Sequence, residues 1–486
     1  MKVANFYAIV SAVALVGVLL LSPAATIAGA SAASGGFLTG AAPYVTVADP
    51  ASASVKAIIT SGDKIGDYTF ANIPDGIGAY VIKVDKKLDV FISHELNNGT
   101  NHGGFAKVSE LVLNKDGEVI EQQLVIDGSQ QYERFCSSSL VDGHGFTHPV
   151  YFANEEVSDG LVVGVDARTG KVTEMPWLGR LSHENTIHVP YFEKTAGKTV
   201  MITTEDGEAT ESEVYMYVAD SPKDFMKGKG QLYVFSALEN TTTNSWDDIY
   251  FSTGRVAGRF VPVSWDYKTQ DAASLHAAAH AAGAFSFIRP EDAAMDKRDG
   301  HENVMYMADT GNDKDENGAA IPPGANGQSW ERGRMYKFAF TDPRNPTKAS
   351  FQVIMDGNDP AAPGYNASLS LGMSNPDNID TSEKSLMIQE DRIGVTRSDP
   401  SSPYDIANNA KIIRVSLDSI DAGHADMKVV AHVNQNADRA AKHGDWESSG
   451  ILDVSEFFGN GSWLVDVQAH SIKEGGQLLL LKVDGS

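Results

Sequence analysis

Arg289 and Glu291 stand two residues apart around Pro290, and Asp309 ends the apolar run Val304-Met-Tyr-Met-Ala-Asp309 that follows. On an extended strand, residues i and i+2 share a face. A guanidinium and a carboxylate are therefore presented together. The planar fork of arginine suits phosphate oxygens, and clustered carboxylates suit hard cations. Arg289 is a candidate holder of a phosphate, and Glu291 and Asp309 are candidate metal ligands.

The same two-part unit recurs. Six short apolar runs end in acidic residues or histidine. They close on His94-Glu95, Glu155-Glu156, Glu205-Asp206, Asp309, Glu390-Asp391 and His470. A second polar element precedes each run: Pro74-Asp75-Gly76, Phe135-Cys136-Ser137, Ser182-His183-Glu184, Arg289-Pro290-Glu291, Asn375-Pro376-Asp377 and Glu447-Ser448-Ser449. If these ends converge, their carboxylates repel one another and resist ionisation. Hard cations with six to eight oxygen ligands relieve that repulsion. The alternative for any single acid is a cap on a solvated turn. His183 and Glu184 are adjacent, so only one of them can face a common site.

Cys136 is the only cysteine, so no internal disulfide can form. A thiolate among carboxylates favours a transition ion such as iron or zinc over calcium alone. The competing reading is a small buried hydrophobe.

The elements that must position these residues are short apolar strands separated by Gly, Asp, Asn and Pro turns, with almost no long amphipathic helix. That pattern predicts an all-β fold. Six repeats fit a six-bladed β-propeller, in which strand ends meet at one end of a central axis. Leu275-His-Ala-Ala-Ala-His-Ala-Ala282 predicts a short helical insertion, with His276 and His280 four residues apart on one face.

The chain has 486 residues and a net charge of −25, and 42% of its residues are apolar. That is enough apolar content for a large core. The charge disfavours nucleic acid, whose backbone is bound by Lys and Arg. Lys2, the apolar run Ala8 to Leu21 and the small residues after Pro23 predict a secretory signal over residues 1–32. The run is short for a spanning helix, which needs about 20 residues. Residues 33–486 are then expected to form one propeller domain, secreted or periplasmic, with no stable membrane insertion after cleavage. No Gly-x-Ser-x-Gly elbow, dinucleotide fingerprint or His-Glu-x-x-His is present.

The ordered set Ser93-His94-Glu95, Asn154-Glu155-Glu156, Gly179-Arg-Leu-Ser-His-Glu184, Thr204-Glu205-Asp206, Arg289-Pro290-Glu291, Pro376-Asp377 and Val467-Gln-Ala-His470 resembles the PhoX-type alkaline phosphatase family. Each motif is short, but the order is specific and spans most of the chain. The resemblance implies a six-bladed propeller that hydrolyses phosphate monoesters, with Fe3+ and Ca2+ at the axial opening; a monomer is expected. It implies that Cys136, Glu205 and Glu291 are iron-side ligands. Glu95, Glu155, Glu156, Glu184, Asp377 and Asp391 would be shared between the two metal types, and Arg289 would hold the phosphate. Asp206 and Asp309 complete the expected metal-ligand set. The leader lacks the twin arginines common in the family, and Asn378 stands where the pattern leads one to expect Gly. Two other classes compete. One is a non-catalytic propeller that binds calcium for rigidity or to engage a partner. The other is a different propeller hydrolase: a phosphodiesterase, or a phytase-like or lactonase-like enzyme.

Overall fold

The computed structural model describes residues 36–99, 103–207, 211–312, 320, 323–324, 327, 329–365, 372–391, 410–435, 446–470 and 475–486. The expected signal over residues 1–32 lies outside them. The described chain is mostly β. Six strands carry the second polar element at their starts: Pro74–Ile82, Phe135–Val141, His183–His188, Pro290–Met295, Pro376–Thr381 and Trp446–Asp453. Each packs against the next, and the last packs against the first, so the six close a ring about an axis. This is the propeller arrangement expected from the repeats.

Outside each inner strand lie further antiparallel strands in sequence order. Two departures from simple repetition matter. The third and fourth units are joined edge to edge into one nine-stranded sheet, because the strand Val256–Pro262 pairs with both Gly230–Ala237 and Lys348–Asp356. The N-terminal strands complete the last two units: Val45–Val47 pairs with Met427–Val433, and Ala53–Thr60 pairs with Gln477–Val483. The last two units are thus completed by strands from opposite ends of the chain.

Apolar side chains fill the spaces between units. Phe235, Phe260, Phe285, Phe287, Phe338 and Phe351 form one aromatic core, and Phe91 stacks on Tyr151 in another. Fully burying such a side chain contributes about 1.5–3 kcal/mol. The predicted helical insertion is present as Ala272–Ala281, capped by the Asp271 side chain accepting from the Ser274 N–H at 3.0 Å. No helix among the described residues is long and apolar enough to cross a membrane.

Candidate active site

The first residue of an inner strand pairs with the last residue of the second strand in the same unit. The pairs are Pro74 with His94, Phe135 with Glu155, His183 with Glu205, Pro290 with Asp309, Pro376 with Glu390 and Trp446 with Ala469. Successive side chains alternate in direction. The second residue of the inner strand and the residue just after the second strand therefore form the other set. Those are Asp75, Cys136, Glu184, Glu291, Asp377 and Glu447, and Glu95, Glu156, Asp206, Thr310, Asp391 and His470.

From this set the fold assembles three linked groups of metal-ligating atoms. Asp75, Glu95 and Cys136 form one; Cys136, Glu156 and Glu184 the next; Glu184, Glu291 and Asp377 the third. In each group, one ligand atom per residue lies within 4.8 Å of the others. Cys136 joins the first two groups, and Glu184 joins the last two.

The electrostatics follow from burial. Asp75, Glu184, Glu291 and Asp377 are pushed well above the usual carboxylate range, first by burial and then by neighbouring carboxylates: Glu95 for Asp75, Asp206 for Glu291 (where Arg289 pulls back), and Glu291 for Glu184 and Asp377. Burial and the surrounding carboxylates push the Cys136 thiol up in the same way. Glu156 is raised to about 8, chiefly by burial, with Arg134 pulling it back. Asp75 Oδ1 is buried with no hydrogen-bond partner. Seven clustered acidic and thiol side chains, one of their oxygens without a donor, are a ligand set that cations can complete, and the shared thiol suits a transition ion within it. These residues fit the iron and calcium that the sequence leads one to expect.

Two arginines complete the site. Arg289 binds Asp206 bidentately, Nε to Oδ1 at 2.9 Å and Nη2 to Oδ2 at 2.8 Å, and its Nη2 also reaches Glu291 Oε1 at 2.9 Å. Arg134 pairs with Glu95 through Nη2 at 2.8 Å and with Glu156. Both line one open cavity of about 950 Å³ together with Glu156, Glu205, Asp206, Glu211 and His276. Sequence reasoning missed Arg134. Its signal was present: Arg134 precedes Cys136 by two residues, as Arg289 precedes Glu291. It missed Asp75 as a ligand as well, although Asp75 holds the same strand position as Cys136, Glu184, Glu291 and Asp377.

Several expected ligands are not brought into the three groups. Glu155 accepts the N–H of Glu133 at 2.9 Å and of Leu161 at 3.2 Å. Asp309 accepts those of Ile288 at 3.3 Å, Arg289 at 3.1 Å and Gly311 at 3.1 Å. Glu205 accepts the N–H of Glu213 at 3.1 Å. The alternation of side chains turns these strand-end acids toward the backbone, where they hold the loops that carry Arg134 and Arg289. Asp206 is held by Arg289 instead of by a ligand group. Asp391 is half-buried outside the three groups, and its charge raises Glu291 and Asp377. In the sixth unit Glu447 and His470 meet each other at 2.6 Å. Of the adjacent pair, Glu184 faces the site, whereas His183 is buried against Thr203 Oγ1 at 3.0 Å and Gly179 O at 3.2 Å. Asn378 bridges the floor, donating to Ser137 Oγ at 2.6 Å and accepting from Ser449 Oγ at 3.2 Å.

The family model described as "Alkaline phosphatase PhoX" matches residues 100–430, more than half of the chain. Among solved structures the chain is similar to Pseudomonas fluorescens PhoX in complex with vanadate, a transition state analogue. Identity is 14%, the match covers 92% of this chain and 97% of that one, and the TM-score is 0.59. It is more distantly similar to the Pseudomonas aeruginosa periplasmic gluconolactonase PpgL, at 11% identity over 84% of this chain and 85% of that one, with a TM-score of 0.38. No curated protein matches the chain.

Proposed function

The chain belongs to the PhoX alkaline phosphatase family, and from that footing we propose that it is an exported, metal-dependent phosphatase acting on phosphate monoesters at the axial site. The observation that carries this reading is the placing of two arginines on one open cavity together with Glu156, a member of the thiol-containing carboxylate cluster. A phosphate ester brings charged oxygens that the guanidiniums recognise. Cation-loaded carboxylates present positive charge to the same group.

Asp75, Glu95, Cys136, Glu156, Glu184, Glu291 and Asp377 would hold the ions, with Fe3+ nearest Cys136 and Ca2+ among the carboxylates. When bound, such ions supply Lewis acidity and lower the pKa of water, the contribution metals make to phosphoryl transfer. The chain supplies the rest. Arg289 orients the phosphoryl oxygens, itself aimed by its two-point contact with Asp206. Arg134 adds a second guanidinium on the same cavity, held by Glu95 and Glu156. Both guanidiniums are partly exposed on the cavity, where their carboxylate partners hold them in place for the phosphoryl group. Asp309 and Glu155 fix the backbone from which the two arginines project.

The test is hydrolysis of p-nitrophenyl phosphate, and of its bis ester, by full-length protein supplied with iron and calcium. We expect monoester turnover that a chelator abolishes, and loss of both turnover and bound iron in Cys136→Ala. Full turnover and iron content in that variant would remove the thiolate role. Faster cleavage of the bis ester would replace a monoesterase with a diesterase.

A further inference from the structure

Away from the axis, His276 and His280 sit one turn apart on the helix Ala272–Ala281, their rings 4.2 Å apart between centroids. Glu213 lies beneath them with its side chain fully buried. Its carboxylate is 3.0 Å from His280 Nε2 and 3.5 Å from His276 Nδ1. Glu211 approaches from solvent, with Oε2 3.8 Å from His276 Nε2. One ring nitrogen from each histidine and one Glu211 oxygen lie within 4.8 Å of one another.

We propose that Glu211, His276 and His280, backed by Glu213, form a second metal site that takes a borderline transition ion such as zinc and is distinct from the axial cluster. Two imidazoles and a carboxylate are a zinc donor set, and a tetrahedral ion at about 2.0–2.1 Å from each donor sets the donors roughly 3.4 Å apart. Glu211 Oε2 and His276 Nε2 stand 3.8 Å apart, close to that value, and one donor atom from each of the three residues lies within 4.8 Å of the others. Calcium is disfavoured because it takes oxygen ligands.

A divalent ion at this point would meet three donors from two elements, the histidines from the helix and Glu211 from the loop facing it. Glu213 then serves the role that carboxylates commonly play behind metal-bound histidine, fixing the ring and raising its basicity. Glu211 and His276 also line the cavity that holds Arg134 and Arg289. An ion here would pin the helix at the rim of the substrate cavity. The tie continues inward, since the Glu213 N–H donates to Glu205 at 3.1 Å.

The test is a Co2+ titration of the full-length protein already loaded with iron and calcium. Wild type should bind one equivalent with the visible absorption of a low-coordinate cobalt site and no sulfur charge-transfer band. The double variant His276→Ala/His280→Ala should bind it more than about 100-fold more weakly, beyond the loss caused by removing an outer partner alone. Should that variant fail to fold, Glu211→Gln, at an exposed position, should weaken binding by about tenfold. The Cys136→Ala variant should keep the equivalent. Unchanged binding in the histidine variant, or in Glu211→Gln where it takes its place, would overturn the proposal. So would a sulfur band that vanishes with Cys136. This readout is independent of phosphatase turnover, so the second site and the proposed activity can fail separately.

Discussion

Two sets of buried carboxylates lie one residue apart at the same end of the ring, and they are treated in opposite ways. Glu155, Asp309 and Glu390 each end a second strand. Each accepts backbone N–H groups from the loop entering its own unit: Glu133 for Glu155, Arg289 for Asp309 and Ser374 for Glu390. Asp75, Glu184, Glu291 and Asp377 sit at the second position of their inner strands and face one another. Burial raises the proton affinity of both sets. In the strand-end set, backbone donors oppose the rise at Glu155 and Asp309, and the buried Lys411 ammonium, 2.8 Å away, opposes it first at Glu390, followed by backbone donors. In the axial set, burial and neighbouring carboxylates act in the same direction. The strand-end acids are satisfied by the fold, whereas the axial acids keep oxygens turned toward one another, with Arg289 countering the charge of Glu291. One set holds the structure and the other is available for chemistry.

The largest expected effect is on turnover and falls on the axial side. Arg289→Ala should lower kcat/KM for a phosphate monoester by about 10³-fold, the scale of losing a preorganised charge at the transferring group. Arg134→Ala should lose roughly 10²-fold or more. Both should retain bound iron and calcium. If Arg134→Ala keeps wild-type kinetics, its pairing with Glu95 and Glu156 is structural, and the two arginines are not equivalent.

Chelation separates the two sets by stability. Ions held at about 100 times their Kd contribute roughly 2.7 kcal/mol to the folded state. Their removal should lower the melting temperature of wild type. In chelator, Glu184→Gln should melt above wild type, because one uncompensated buried charge is gone; with ions present the order should reverse. Asp309→Ala should behave differently, losing about 3 kcal/mol or more with or without ions, since it strips the acceptor from three N–H groups and each unmet buried N–H costs about 1–3 kcal/mol. A chelator-dependent loss in Asp309→Ala would place that acid among the ligands after all.

Much of this was legible in the sequence because strand geometry is periodic. The repeating apolar runs gave the ring, and the polar elements before them gave the inner-strand starts. What pattern alone leaves open is phase. Glu155-Glu156 and Glu205-Asp206 each offer two acids, and only the pairing of Phe135 with Glu155 and of His183 with Glu205 decides which one turns inward. Asp309 looked like a ligand for the same reason. Arg134 escaped notice because the thiol two residues later drew the chemistry to itself. The aromatic core of the fused third and fourth units depends on the pairing of Val256 with Phe351, residues far apart in the chain, and short-range patterns do not contain such pairings.

The first unit offers the smallest and most selective probe, because its strand-end position holds His94 in place of an acid. His94 is fully buried, with Nδ1 3.0 Å from Asn72 O and Nε2 2.8 Å from Ser109 Oγ. Burial pushes its pKa down to about 3. The folded state therefore keeps the ring neutral while the unfolded chain, near its ordinary value of about 6.5, takes up a proton on acidification. Since the folded pKa is the lower one, the stabilisation is complete above about pH 6.5 and is lost as pH falls toward about 3. Between pH 7 and pH 5 this group alone should cost about 2 kcal/mol. The check is a pair of denaturant titrations at those pH values, in chelator so that ion binding does not contribute, on wild type and on His94→Gln. The variant should be less stable at pH 7 yet lose about 2 kcal/mol less than wild type between the two pH values. An unchanged slope would mean that His94 titrates normally, and that the strand-end position in the first unit lacks the tight enclosure seen in the others.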